Sequence, residues 1–371
     1  MEDKNHLKIL MTADTIGGVW TYCMELCREL KNHKAFIHLI TMGAKMNDDQ
    51  RKEINQLEHL TVYETEYALE WMQNPWEDIE KCGLWMLELE SRIKPDIIHL
   101  NTYTYGAVPF SAPVILVAHS DVYSLFHSVK KMNPPVEWKK YYEHVKQGLQ
   151  ESDLVIAPSV TMMNYIKDIY NYEGENNIIY NGRNIDFFNA SEKQPMVFSM
   201  GRIWDEAKNI QLLLNAATNI KWPVIIAGEN IFENEHFNTD HQNTNHLGRL
   251  SGGQVAEQLS KASIFVHPAK YEPFGLSALE AALSGCALVL GDIPSYREIW
   301  KDAALYADTD DEIALADIVN RLIEDKDLLK DFSNRAVLRA ADFSSQHMAQ
   351  NYTQVYKHFQ HQTKKAKQET I

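Results

Sequence analysis

Short apolar segments alternate with amphipathic stretches along almost the whole chain, and this alternation constrains the fold more than any other feature. In the first half, the apolar segments are 7–11, 36–41, 61–63, 97–101, 114–118, 153–158 and 177–180. A helical stretch (20–30) opens directly after Gly17-Gly18. Because strands that alternate with helices form parallel βαβ units, the pattern predicts a doubly wound α/β sheet.

The alternation pauses around Asn181-Gly182 and the polar segment 191–195, and then starts again. The second series of apolar segments is 196–200, 224–227, 246–247, 264–267, 287–290 and 304–306. Two series of similar size predict two Rossmann-like domains, at 1–190 and 191–345. Ligands bind beyond the carboxyl ends of the strands in such sheets. We therefore expect the two domains to face each other across a ligand-binding cleft.

The segment 265–280 predicts an anion site. An apolar strand ends at Pro273-Phe274-Gly275, and a helix begins at once. The first N–H groups of a helix have no intrahelical partners, so they can bind a phosphate. Glu272 and Glu280 flank this position. A carboxylate there suits neutral hydroxyl groups beside the phosphate, and this combination indicates a sugar nucleotide. The alternative is an ordinary βαβ unit with solvated glutamates.

The sequence Glu272-Pro-Phe-Gly-Leu-x-x-x-Glu280 resembles the Glu-x7-Glu motif of the retaining glycosyltransferases of family 4. The resemblance implies a GT-B fold, in which a C-terminal helix, here about 346–371, crosses back to the first domain. It implies that Glu272 holds a donor-sugar hydroxyl and that Glu280 holds the ribose. Phe274, Gly275 and Leu276 would bind the donor, and the helix N-terminus near Phe274-Gly275 would stabilise the leaving diphosphate.

Two cations follow the first strand of the second series, in Gly201-Arg202-Ile-Trp-Asp-Glu-Ala-Lys208. Arginine offers a planar fork to two phosphate oxygens, and lysine offers a mobile point charge. The spacing resembles the diphosphate clamp of the same family, which would stabilise the departing nucleotide. Either residue alone could equally be a solvated surface cation.

The resemblance assigns further residues. Gly17 and Gly18 would touch the donor diphosphate and shape the acceptor pocket, although a turn used only for packing is the alternative. His119 would face the transferred sugar as a ligand to a hydroxyl, with a general-base role less favoured and a purely structural histidine as the alternative. Arg249 would lie beside the base. Arg183 departs from the apolar residue that the family leads us to expect. It could reach the cleft, but we favour an interdomain salt bridge.

No metal or other cofactor is expected. His236, His241 and His246 lack the spacing of a metal site. The Asp308-x-Asp310 sequence is predicted to cap the helix that follows it.

The net charge of −15 argues against nucleic-acid binding. No apolar run approaches the roughly 20 residues of a membrane span, and no signal peptide is evident, so we expect a cytoplasmic protein. The four cysteines give no disulfide framework. Residues 128–146 combine lysines with aromatic residues. This predicts either weak contact with the inner membrane face or, more commonly, a solvated helix face.

Together with these observations, the resemblance implies a metal-independent, retaining hexosyltransferase. It would move a sugar from a nucleotide-sugar donor, with a UDP-sugar favoured and a GDP-sugar possible, to the hydroxyl of a glycan, a lipid or a small molecule. Three alternatives stay open. They are an inactive GT-B partner subunit that binds a sugar nucleotide, a GT-B epimerase or phosphorylase, and, least favoured, a nicotinamide dehydrogenase, since the glycine fingerprint is incomplete.

Overall fold

The structure, a computed structural model, describes residues 6–232 and 235–369, with side chains described as far as residue 362. The chain divides into two compact units. The first unit comprises the chain up to Phe126, Met132–Gly182 and the chain from Ser345 onward, and the second comprises His127–Lys131 and Arg183–Ser344. Each unit contains one parallel sheet, which confirms the predicted α/β class.

The first unit is built on seven parallel strands in the order β3-β2-β1-β4-β5-β6-β7. The strands are β1 (Leu7–Asp14), β2 (Ala35–Met42), β3 (Leu60–Glu64), β4 (Ile97–Leu100), β5 (Val114–Val117), β6 (Leu154–Ala157) and β7 (Asn176–Ile178). Side chains alternate between the two faces of β1, so that Ile9 and Met11 belong to one apolar cluster and Leu10 to another. Both faces are therefore covered, as is usual for a parallel sheet.

Helices connect these strands. They are α1 (Gly18–Leu30), α2 (Asp48–Ile54), α3 (Trp76–Ile93), α4 (Val122–Val129), α5 (Lys139–Glu151) and α6 (Val160–Tyr170). The helix α1 starts directly after β1, with Gly17 as its N-cap residue at φ 96°. L-residues with a side chain rarely adopt this φ, which explains a glycine at that position.

The basic segment 128–146 is not one helix. It contains the end of α4, a 3-10 turn (Val136–Trp138) and the first half of α5. Tyr141 is buried, and Trp138 and Tyr142 pack against the same apolar cluster. Its aromatic rings thus contribute to the core of the first unit instead of accompanying the lysines on an exposed face, because a ring gains more from burial than a lysine does.

The second unit has a six-stranded parallel sheet in the order β12-β9-β8-β13-β14-β15. Its strands are β8 (Gln194–Met200), β9 (Val224–Ala227), β12 (Thr244–His246), β13 (Ala262–His267), β14 (Ala287–Gly291) and β15 (Leu305–Ala307). Its helices are α7 (Ile210–Ala216), α8 (Gly252–Lys261), α9 (Leu276–Leu283), α10 (Pro294–Trp300), α11 (Glu312–Glu324) and α12 (Lys326–Ala340). An antiparallel pair of two-residue strands, β10 (Ile231–Phe232) and β11 (Glu235–His236), was not expected. Strands this short and exposed have no apolar alternation by which the sequence could reveal them.

The last helix, α13 (Ser345–Glu369), belongs to the first unit. Tyr352, Tyr356 and Phe359 are buried in the same apolar cluster as α1 and β1. The Oγ of Ser345 also donates a hydrogen bond to Oε1 of Glu29 at 2.8 Å. Of the predicted helix 346–371, residues 370 and 371 lie outside the described residues.

Apart from His127–Lys131, the second unit begins at Arg183, whereas we expected the domain boundary after residue 190. The reason is local pairing, since the Arg183 N–H donates to the carbonyl oxygen of Phe343 at 3.1 Å. All four cysteines are buried as free thiols. Within the part of the chain that the structure describes, we find no helix whose length and apolar character would let it span a bilayer.

Candidate functional site

The two motifs of the second unit meet at the carboxyl end of its sheet. Arg202 and Lys208 follow β8, and Glu272 follows β13, the strand next to β8. Nζ of Lys208 donates to Oε2 of Glu272 at 2.6 Å, although the two residues are 64 positions apart in the chain. Two signals that are distant in the sequence therefore form one charged pair.

The environment of Lys208 and Glu272 keeps the glutamate ionised. Their side chains are only 25% and 13% exposed. Burial by itself raises the pKa of Glu272, but the positive charge of Lys208 and its hydrogen bond to the carboxylate outweigh burial, so the pKa lies below its usual value. A carboxylate in this state accepts hydrogen bonds and donates none, which suits neutral hydroxyl groups.

Arg202 retains an exposed guanidinium. Its Nη2 donates to Oδ2 of Asp205 at 2.6 Å, and its Cζ lies 4.9 Å from the centroid of the Trp204 ring. Trp204 in turn stacks on Phe232 of β10, with the ring centroids 4.2 Å apart. The side chain of Arg202 is still 42% exposed, so it can bind a further anion.

The turn between Glu272 and α9 is held by α10. The Oγ of Ser295 donates to the carbonyl oxygen of Glu272 at 2.5 Å. Gly275 has φ 91°, and a Cβ at this position would lie 2.7 Å from Cε1 of Tyr296. Only glycine fits here. Because Gly275 has no side chain, the N-cap residue leaves the first N–H groups of α9 uncapped, and such groups can bind an anion.

Phe274 and Leu276 differ in what they can offer a ligand. The side chain of Phe274 is buried, with its ring edge-on to that of Phe343 at 5.5 Å. Only its backbone can contact a donor. Leu276 is the first residue of α9 and is half-buried.

Glu280 is engaged by an arginine of its own unit. Nε of Arg183 lies 3.0 Å from Oε1 of Glu280, and both side chains are 11% exposed. The ion pair of Arg183 with Glu280 thus lies within the second unit, where Arg183 also forms an isolated β-bridge with Ser344, and not between the two domains as we expected of this salt bridge. The carboxylate expected to hold the ribose thus has a fixed cation beside it.

Arg249 stands apart from this group. In the part of the chain that the structure describes, its ion pair is with Glu229 at 3.3 Å, where the side chains are 68% and 48% exposed.

The residue that caps α11 is not Asp308 or Asp310, as we predicted, but Asp311. Oδ1 of Asp311 accepts from the N–H groups of Ile313 and Ala314, because Asp311 directly precedes the helix.

His267 and Tyr296 are site residues that the sequence did not reveal. His267 ends β13 and is buried, and its Nδ1 is hydrogen-bonded to the Tyr296 hydroxyl. Burial, together with the nearby charge of Lys208, lowers the pKa of His267 to about 4. A neutral histidine therefore lies beside the ion pair of Lys208 and Glu272. The only sequence signal was a histidine at a strand end, which is a common structural feature.

The remaining predicted residues lie in the first unit. Gly17 and Gly18 join β1 to α1, and His119 follows β5. Nε2 of His119 is 2.7 Å from Oδ1 of Asn101. Burial, and then the proximity of His99, lower the pKa of His119 to about 3. The imidazole is therefore neutral at pH 7 and a weak base, which fits a hydrogen-bonding role better than proton abstraction.

Among the described residues, no group of three or more His, Cys, Asp or Glu side chains could hold a metal ion. Of the three histidines considered as ligands, His246 makes its own contact, with Nε2 at 2.7 Å from the carbonyl oxygen of Gly228.

Two family models match consecutive parts of the chain. The model for Glycosyltransferase Family 4 matches residues 16–187, and the model for Glycosyl transferases group 1 matches residues 181–339. Together they span both sheets, and the second includes both the Arg202–Lys208 and the Glu272–Glu280 motifs.

Individual proteins agree with these models. The O-antigen chain mannosyltransferase RfbU of Salmonella typhimurium is 26% identical over 210 residues, which cover 53% of this chain and 58% of that protein. The chain thus matches little more than half the length of this curated relative. Sucrose-phosphate synthase from Thermosynechococcus elongatus has a TM-score of 0.81 at 18% identity, covering 95% of this chain and 99% of that one. HepE of Anabaena in complex with UDP-glucose has a TM-score of 0.75 at 18% identity, covering 95% and 100%.

The similarity to solved structures establishes the fold, and the two matched family models establish the family. The chain belongs to the family 4 glycosyltransferases, with the GT-B fold.

Proposed function

We propose that this protein transfers a sugar from a nucleotide-diphosphate sugar to an acceptor hydroxyl, with retention of the anomeric configuration and without a metal ion. The observation that carries the proposal is the 2.6 Å contact between Lys208 and Glu272. It joins a cation suited to phosphate and a carboxylate suited to hydroxyl groups, just before the uncapped N-terminus of α9. A nucleotide-sugar presents both kinds of group next to each other.

Charge stabilisation at the leaving diphosphate would supply most of the rate. Negative charge grows on the diphosphate as the bond to the sugar breaks, and Arg202, Lys208 and the first N–H groups of α9 would oppose it. The acceptor hydroxyl would attack from the side that the diphosphate leaves, so no protein nucleophile is required. Glu272 would orient the sugar by accepting its hydroxyl hydrogens.

The donor would meet existing ion pairs. Lys208 is bound to Glu272, Arg202 to Asp205, and Glu280 to Arg183. Lys208 would exchange its carboxylate for a phosphate oxygen, and the exposed guanidinium of Arg202 would bind a second phosphate oxygen. The pairs hold the side chains close to where they are needed, so that little ordering entropy is lost on binding.

Relatives support the choice of donor. HepE of Anabaena, whose fold this chain shares, has been crystallised with UDP-glucose. RfbU is named a mannosyltransferase. A UDP-sugar is therefore our first candidate and a GDP-sugar the second, and the acceptor is left open as a glycan, a lipid or a small molecule.

A thermal-shift panel of UDP-, GDP- and ADP-sugars, with NAD included and with EDTA present, tests the proposal. A bound ligand raises stability by about 2.7 kcal/mol at a hundredfold excess over its Kd. We expect one class of sugar nucleotide to raise the Tm of the wild type and of Lys261→Ala, a surface control whose ion pair is with Glu257. The shift should be absent in Lys208→Ala.

No shift with any sugar nucleotide would contradict donor binding. A shift that needs added Mg²⁺ or Mn²⁺ would contradict metal independence. Once a donor and an acceptor are known, the anomeric proton coupling of the product decides between retention and inversion.

A further inference from the structure

Asn101 and His119 lie next to each other at the carboxyl ends of two neighbouring strands of the first sheet. Asn101 directly follows β4, and His119 follows β5, its neighbour. Strand β1 lies on the other side of β4 and supplies Thr12. Because these strands are parallel, their carboxyl ends place the three residues side by side.

The orientation of the Asn101 amide is fixed by its partners. Asn101 is 7% exposed, and its Nδ2 donates to the carbonyl oxygen of Thr12 at 2.6 Å and lies 3.3 Å from Sγ of Cys23. A carbonyl oxygen cannot donate, so the amide group that faces Thr12 must be the NH₂. The oxygen Oδ1 is then turned toward His119 and can only accept.

This orientation determines the protonation of His119. Its Nε2 lies 2.7 Å from an oxygen that only accepts, so Nε2 carries the hydrogen. The ring is neutral at pH 7, and its other nitrogen, Nδ1, therefore has a free lone pair. In the region of the chain that the structure describes, Nδ1 has no hydrogen-bond partner. It is also not one of the side-chain N and O atoms that are fully buried without a partner. The Tyr22 ring, edge-on at 4.5 Å, restricts rotation of the imidazole.

We propose that Asn101 is a positioning residue that fixes His119 as the Nε2–H tautomer, so that Nδ1 accepts a hydrogen bond from a substrate hydroxyl. This inference rests on the proposed function, because the hydroxyl is one of the sugar substrate. It adds a residue, a protonation state and a direction of donation. It also restricts the ligand, since a carboxylate, a phosphate or an ether oxygen brings no hydrogen to Nδ1.

Long-range ¹H–¹⁵N spectra of the full chain labelled with [¹⁵N]histidine report tautomers directly, and His119→Gln identifies the signals of His119. In the wild type at pH 7 we expect one neutral tautomer, protonated at Nε2. Asn101→Leu removes the acceptor and should give a mixture of tautomers. Asn101→Asp keeps an acceptor at the same place, and should preserve the Nε2–H tautomer while the new negative charge makes the ring titrate at higher pH. If Asn101→Leu does not fold, Asn101→Asp is the variant that tests the role of Asn101.

A wild-type ring protonated at Nδ1, or one charged at pH 7, would overturn the assignment. An Asn101→Leu variant with the wild-type tautomer population would overturn the role of Asn101. The groups that face the ring and could disturb its titration are Tyr22 and His99, and both stay the same in all variants.

A second measurement links the tautomer to the substrate. Saturating UDP-glucose, or whichever sugar nucleotide the thermal panel selects, is added to the labelled protein with an acceptor analogue. Hydrogen bonding to Nδ1 moves its ¹⁵N signal upfield without adding a proton. A new Nδ1–H signal would show that His119 donates and would overturn the proposal. Absence of any binding would contradict the proposed function alone, since the first experiment decides the tautomer without a ligand.

Discussion

The ion pair of Arg183 and Glu280 makes the sharpest prediction about stability. Both side chains are 11% exposed, and Nε of Arg183 lies 3.0 Å from Oε1 of Glu280. At this distance the attraction is about 5–6 kcal/mol with an effective dielectric constant of 20. Desolvation of both groups offsets much of it. The net contribution of the pair is therefore small, but the cost of removing one partner is large.

Arg183→Met leaves the carboxylate of Glu280 buried without its arginine. We expect the variant to lose about 3–5 kcal/mol, the usual cost of breaking a buried pair. In a domain of about 150–250 residues, this corresponds to a fall in Tm of about 6–20 °C. Glu280→Gln should also destabilise, because it removes the carboxylate from beside the buried guanidinium.

The double variant Arg183→Met/Glu280→Gln should be more stable than the sum of the single changes predicts. We expect a coupling of about 2–3 kcal/mol in a double-mutant cycle. Urea unfolding followed by circular dichroism measures all four proteins, with no need for a substrate. Arg249→Met is the matched control, since its partner Glu229 is exposed and the pair is worth about 1 kcal/mol or less.

An Arg183→Met variant whose Tm is within about 2 °C of the wild type would refute this reasoning. It would show that Glu280 is stabilised without Arg183. Strict additivity in the cycle would mean that the two side chains do not interact in solution.

Three further predictions concern Arg202 and Lys208, His267, and Lys193. Arg202→Ala and Lys208→Ala should each slow sugar transfer by about 10²–10³, as the loss of a single oxyanion donor does, and turnover within threefold of the wild type would remove that residue from the site. The pKa of His267 is lowered to about 4, so the unfolded chain binds its proton first as the pH falls from about 6.5. The free energy of unfolding should therefore fall by about 3 kcal/mol between pH 6.5 and pH 4. Urea titrations of His267→Gln should lack this part of the acid destabilisation. Nζ of Lys193 donates to the carbonyl oxygens of Leu259, Ala262 and Ser284 at 3.1, 2.8 and 2.6 Å. Lys193→Met should cost about 2–4 kcal/mol in the free energy of unfolding, and a loss below about 0.5 kcal/mol would show that water replaces the ammonium at these carbonyls.

Much of the fold was readable from local patterns. The predicted strands of both series are present, because an apolar run between polar stretches reports burial on both faces of a parallel sheet. The pair β10 and β11 was missed, since two-residue strands with exposed Ile231 and Phe232 show no such pattern. The helix cap was predicted at Asp308 and Asp310, but the capping residue is Asp311. Local sequence cannot avoid this error when several aspartates lie next to each other.

The contacts of the site depended on the tertiary structure. The sequence indicated Arg202, Lys208, Glu272 and Glu280 by type and spacing, and these signals need only neighbours along the chain. It could not show that Lys208 reaches Glu272, or that His267 lies beside them. The aromatic residues of 128–146 face the core, a direction that composition does not encode.

The sequence alone determined the α/β class, the two series of strands and the chemical types at the ends of the strands. These properties follow from hydrophobic periodicity and from the backbone freedom of glycine, which act over a few residues. The tertiary structure alone decided which charges pair, which nitrogen of His119 carries the hydrogen and which residue fixes it. Such choices depend on distances between strands far apart in the chain, and these distances exist only after the sheets have formed.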